Sequence, residues 1–264
     1  MLHGYVIRAP AVAGLFYPDD RRELLEMVRG FLAAPALTLP APKALIAPHA
    51  GFVYSGPVAG SAFAQLQSVR DSITRVVLAG PSHRVGFPGI ALSSARAFST
   101  PLGQVPVDME AVAAISDLPE VSLLDLAHAQ EHSLETHLPF LQVALRQFSI
   151  VPLVVGDATP AAIAAVFNHL WGGPETLLVV SSDLSHYHAY AQAGRMDTAT
   201  SKAIEGLDDR AIDGQHACGW LPVRGLILAA RQHGLTARAL DVRNSGDTAG
   251  SRDEVVGYGA YAFS

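Results

Sequence analysis

TLLVVSS, residues 176–182, is followed directly by Asp183-Leu184-Ser185-His186-Tyr187-His188. The run is aliphatic throughout its middle and shows no polar–apolar alternation. It therefore predicts a strand buried on both faces, as in a parallel or mixed sheet covered by helices. Residues 43–47 (KALIA), 75–80 (RVVLAG) and 149–156 (SIVPLVVG) are runs of the same kind. In the last of these Pro152 has no N–H to give to a ladder, which predicts a bulge or a sheet edge there. Residues 236–243 and 255–262 read as two further strands.

Amphipathic patterns between these runs predict helices over residues 21–32, 57–66, 133–147, 160–170, 191–206 and 221–233, with Ser133 as a candidate cap for the third. A Pro-rich stretch, residues 35–42, precedes the first long strand. No linker, charge run or internal repeat divides the chain. The expectation is a single α/β domain over residues 1–264, with a central mixed, mostly parallel sheet covered by helices. Strand order is not readable.

Of the 264 residues, 50% are hydrophobic and 16% charged, a balance that suits a large buried core and speaks against disorder. The net charge of −6 and the lack of any Lys or Arg run argue against a nucleic-acid or membrane-surface partner. Residues 1–8 lack the basic-then-apolar pattern of a signal peptide, and no apolar run reaches the ~18 residues of a spanning helix. A cytoplasmic location is expected. The one cysteine, Cys218, excludes an internal disulfide.

Functional groups in open α/β sheets collect just beyond the carboxyl ends of strands. Here three strand runs lead into histidines: Pro48-His49-Ala50-Gly51, Pro81-Ser82-His83, and the segment ending in His186. One such histidine is more often structural, but three at equivalent positions point to a shared divalent-metal site. Pro48 and Pro81 stiffen the turns before two of them. Gly51 permits a sharp exit or a close backbone approach. Cys218 precedes the helix expected from residue 221, where the helix dipole would favour a thiolate and hence a soft ligand.

A second cluster comprises His128, Glu131, His132, Glu135 and His137. If helical, His128, Glu131, His132 and Glu135 share one face. The bland reading is the polar face of a surface helix. The functional one is support for ligating imidazoles, with Glu135 and His132 preferred for that role. Phosphate-loop, dinucleotide-loop, nucleophile-elbow and H-E-x-x-H motifs are all missing. A thiol mechanism, with Cys218 as nucleophile and His186 or His49 as base, would leave the other strand-end histidines unexplained.

The segments AVAGLFYP (11–18), APHAGFVYSG (47–56), LAGPSH (78–83), EHSLETHLPF (131–140) and SSDLSHY (181–187) together resemble the Memo family, also labelled the B component of the AmmeMemoRadiSam group. The resemblance covers nearly the whole chain. It implies a fold similar to class III extradiol dioxygenases, which are non-haem Fe(II) enzymes. It further implies His49, His83 and Cys218 as metal ligands, and His186 and Asp183 as catalytic neighbours of the metal. Fe(II) is the implied ion, with Cu or Zn as alternatives. AMMECR-type and radical SAM proteins are the implied partners.

The dioxygenases complete their site with a carboxylate, whereas here a softer thiolate stands third. Three functions follow as expectations. The first is an Fe(II) dioxygenase acting on a small phenolic or catechol-like substrate, with His186 and Asp183 as acid/base groups and His132 and Glu135 in support. The second is a non-enzymatic metal, redox-regulatory or peptide-binding protein that uses the same cleft. The third is metal-dependent hydrolysis.

Overall fold

The computed structural model describes residues 6–34 and 41–264. Most of the Pro-rich stretch, residues 35–40, and most of the N-terminal segment, residues 1–5, lie outside the described residues. The chain opens with β1 (Ile7–Arg8) and α1 (Arg21–Ala33), whose first amides are capped by the Asp20 carboxylate. It continues through β2 (Ala44–Ala47), α2 (Phe52–Phe63) and β3 (Arg75–Pro81). Next come the short elements β4 (Ile90–Leu92), β5 (Ala97–Thr100), β6 (Gly103–Pro106), α3 (Met109–Ile115), β7 (Val121–Leu123) and α4 (Asp125–Ala129). Then follow α5 (Leu138–Ala144), β8 (Ser149–Val155), α6 (Pro160–His169), β9 (Thr176–Ser181) and β10 (His186–His188). The chain closes with α7 (Tyr190–Glu205), α8 (Trp220–Gln232), β11 (Ala237–Asn244) and β12 (Val255–Phe263).

A nine-stranded mixed sheet has the order β10-β12-β2-β9-β3-β8-β4-β7, with β11 also paired to β12. Its centre, β2-β9-β3-β8, is parallel, and β12 and β4 join it antiparallel. Every residue of β2 and β9 is buried, as their unbroken apolar runs require. Helices α6 and α8 pack together, with α8 against β3 and β9, while α2 lies against β2 and β12 beside α1 and α5. Phe52, Phe63 and Phe140 meet between α2 and α5, with ring centroids 4.9 and 5.3 Å apart. Because the four central strands run the same way, their carboxyl ends share one end of the sheet. His49, His83 and Asp183 follow three of them. Among the described residues no helix is long and apolar enough to cross a membrane.

Pro152 is interior to the sheet as a whole, yet its missing N–H leaves no gap in the ladder. Residues 150, 152 and 154 of β8 turn to the flank away from β3. There Ile150 O accepts from Asp108 N, and β4 pairs only from Val154 onward. Pro152 therefore falls in a local break between two partners.

Two helical expectations need correction. Pro57 lies inside α2, which begins at Phe52. Its ring leaves the Val53 carbonyl without an amide, and Val53 is exposed, so water can serve it. The helix expected over residues 133–147 is a 3-10 turn, Glu135–His137, leading into α5. Ser133 does not cap it and donates its hydroxyl to Pro81 O instead, at 2.9 Å.

Candidate metal centre

One ring nitrogen from each of His49, His83 and His132 lies within 4.8 Å of the other two, so this group could hold a metal ion. His49 leaves β2, His83 leaves β3, and His132 sits in the loop after α4. The three rings pack at centroid separations of 5.0 Å (His49–His83), 5.4 Å (His49–His132) and 4.5 Å (His83–His132). Phe16 closes one side at 4.8 Å from the His132 ring. Gly51 adopts φ −54°, open to any residue, so the turn after His49 does not demand glycine.

Hydrogen bonds fix which nitrogen each histidine presents. Ser181 Oγ donates its only proton to Ser133 O at 2.6 Å. The same oxygen must then accept from His49 Nδ1 at 2.6 Å and from His137 Nε2 at 2.8 Å. His49 is thereby held as the Nδ1–H tautomer with a bare Nε2. Glu131 Oε1 accepts from His83 Nδ1 at 2.9 Å, which leaves Nε2 as the nitrogen His83 can offer to the cluster. Glu131 also takes the backbone amides of His83, His132 and Ser133. Burial alone would raise its carboxyl, but these bonds, His83 foremost, hold it down at about 2. Burial, reinforced by the neighbouring imidazoles, pushes His49 well below the usual histidine range and His132 to about 4, so both are neutral at pH 7.

Cys218 reaches the same place from the start of α8. Its Sγ lies 3.4 Å from His49 Nε2 and accepts Asp183 N at 3.3 Å. Gly219 makes this approach possible, since a Cβ there would meet Ser181 O at 2.4 Å. Cys218 does stand just before α8, as expected. Burial first, then the Asp183 charge, pushes it above the ordinary thiol range. Asp183 Oδ1 accepts His49 N at 2.8 Å, and burial raises its carboxyl.

His186 donates Nδ1–H to Leu184 O at 2.8 Å, which leaves Nε2 outside that bond. With His83, Tyr187, Gln215 and Cys218 it lines a cleft of about 590 Å³. Between His186 and His188 the ladder to β12 is irregular, and Tyr187 takes φ +58°, a strained value for a bulky residue, with its ring exposed.

The structure thus gathers His49, His83, His132, His186, Asp183 and Cys218. Glu135 is elsewhere. Its carboxylate pairs with Arg8 and accepts Ala11 N, Val12 N and the Tyr17 hydroxyl. Supporting an imidazole falls to Glu131, because α4 stops at Ala129 and the loop turns Glu131 and Glu135 in different directions. Ser181 and His137 were not singled out in the sequence for the roles they take here. The only signal was the position of Ser181 at the strand end beside the histidine-bearing loops.

The donor set fits a divalent cation. His49 presents a bare, neutral Nε2, and His83 Nδ1 is engaged by Glu131 so that its Nε2 is the nitrogen left for the cluster. His132 Nδ1 is buried 3.4 Å from Glu131 Oε1, too poorly aligned for a hydrogen bond, and a thiol adjoins the cluster.

The family profile described as "Memo-like protein" matches residues 8–262. "MEMO1 family protein" sequences from Thermotoga petrophila and Aquifex aeolicus are 35% and 36% identical to this chain. Those matches cover 95% and 96% of this chain, and 97% of each relative. A third, from Methanothermobacter thermautotrophicus, is 36% identical over 96% of this chain and 99% of its own length.

Proposed function

The chain belongs to the Memo-like family, and from that premise and the imidazole cluster we propose a divalent-metal protein whose ion is held by His49, His83 and Cys218. The observation that carries this reading is the convergence of the His49, His83 and His132 imidazoles, with the Cys218 sulfur 3.4 Å from His49 Nε2 and with His83 and Cys218 also lining the 590 Å³ cleft. Cys218 is preferred over His132 as third ligand because a thiolate offsets the cation's charge in a buried place, and an imidazole does not.

We further propose oxygenase-type chemistry on a small phenolic substrate, with Fe(II) as the ion. When bound, iron would supply Lewis acidity toward an aromatic hydroxyl and a redox couple for O₂. His186 Nε2 is free to take the hydroxyl proton, and the Leu184 carbonyl holds the ring in the tautomer that can do so. Asp183 ties the His49 and Cys218 loops together. Phe16 covers one side of the cluster, against the His132 ring.

A second reading, metal or redox handling without turnover, is favoured by the thiol itself. A soft donor beside two imidazoles suits Cu(I) or Zn as well as iron, and sulfur is open to oxidation beside an O₂-activating ion.

Elemental analysis of purified variants tests the ligand set. His49→Ala, His83→Ala and Cys218→Ala should each lose most of the metal, and His132→Ala should keep it. Metal kept by Cys218→Ala and lost by His132→Ala would replace the thiolate by a third imidazole. Anaerobic Fe(II) loading, then catechols, then O₂, separates the two functions. Ring-cleavage absorbance supports turnover, and its absence across a broad panel supports the second reading.

A further inference from the structure

At the end of the sheet opposite the metal cluster a second cavity opens, of about 890 Å³, beside the amino ends of β3 and β8. Four arginines line it: Arg21, Arg29, Arg70 and Arg146. No Asp or Glu does, in a chain where acidic residues outnumber basic ones by 24 to 18. Arg146 is paired with Asp71 at 2.5 Å, across the exposed rim. The side chains of Arg21, Arg29 and Arg70 have no carboxylate or hydrogen-bond partner among the described residues. Residues 1–5 (MLHGY) and 35–40 (PALTLP) carry no acidic side chain that could serve as one.

The stripe is built into α1. Arg21, Leu25 and Arg29 recur every four residues and so share one helix face. The acids of the same helix are turned away or engaged. Glu26 pairs with Arg22, and Asp20 caps the first amides. All four arginines are exposed around one cavity, and an anion there would offset the repulsion between their like charges. Guanidinium forks match phosphate oxygens two at a time. Leu25, Val143 and Phe148 add an apolar wall. The volume falls in the range of small-molecule sites.

We propose that this cavity binds a small organic molecule carrying two or more phosphate groups, independently of the metal centre. The test uses the full chain, stripped of metal by chelation so that no bound cation competes for phosphate. Calorimetric titration with ADP and with inorganic pyrophosphate should give saturable binding that weakens steeply with added salt. Arg29→Ala and Arg70→Ala should each weaken it by about tenfold. Arg22→Ala, on the same helix but off the stripe, should leave it unchanged. Circular dichroism of each variant guards against misfolding. The proposal is overturned if neither probe saturates in the millimolar range. It is also overturned if Arg22→Ala weakens binding as much as Arg29→Ala, or if a poly-glutamate peptide binds while both phosphates stay silent.

Discussion

Glu131 and Glu135 stand four residues apart in one EHSLETH run and serve different parts of the molecule. Glu131 gathers the His83 ring and three backbone amides, so its charge orients a candidate ligand. Glu135 neutralises the buried Arg8 guanidinium and holds the segment around Ala11 and Val12. Glu131→Gln should weaken metal binding by about 10–100-fold, read by metal titration, with the fold retained. Glu135→Gln leaves Arg8 buried without a counter-charge. It should cost about 3–5 kcal/mol in chemical denaturation and leave the metal affinity of the folded protein near that of the parent. Equal loss of metal affinity in both variants would erase this division of roles. The sequence could not separate the two residues, because helical spacing puts both on one face and only the loop after Ala129 parts them.

Elements legible in the sequence were the ones long enough to carry a pattern. The runs that became β2, β3, β8, β9 and β12 are apolar without interruption, and the turns after three of them delivered His49, His83 and Asp183 to one end of the sheet. Strands β4 to β7 and β10 are too short to show a period, and the positive φ of Tyr187 has no signature in residue type. Contacts across elements were equally hidden: nothing near Ser181 announces that its hydroxyl sets the His49 tautomer. The meeting of β9 with the start of α8 is of this kind and can be tested. A methyl group at Gly219 would fall 2.4 Å from Ser181 O and 2.7 Å from Ser182 Cβ. Backbone atoms cannot rotate away, so Gly219→Ala should push the Cys218 turn outward and cost about 1–3 kcal/mol. The thiol should then react faster with a thiol reagent in the metal-free protein, because its contact with His49 and its burial are both relaxed. Unchanged reactivity would mean that the turn absorbs the methyl without moving the sulfur.

The molecule as a whole buries His128 and His137, and this makes the fold acid-sensitive apart from any metal. His128 donates Nε2–H to Ala91 O at 2.9 Å, and burial lowers its pKa to about 4. His137, beneath Ser181, is lowered to about 3 by burial. In the unfolded chain both titrate near 6.5. Folded values below the unfolded one mean that, as pH falls under ~6.5, the unfolded chain takes up protons that the folded chain refuses. Full stability is therefore present above pH ~6.5 and drains away as pH falls toward the folded values, by roughly 3 kcal/mol for His128 alone at the lower limit. Gln at position 128 keeps an N–H donor for the Ala91 carbonyl and removes the titration. Urea unfolding at pH 7.0, 5.5 and 4.5 in the presence of chelator should show the parent losing stability at each step. His128→Gln should lose about 1–3 kcal/mol less over the same interval, whatever its stability at pH 7. A parent flat from pH 7.0 to 4.5, or a variant that declines in parallel with it, would mean that His128 is not held neutral by its burial against β4.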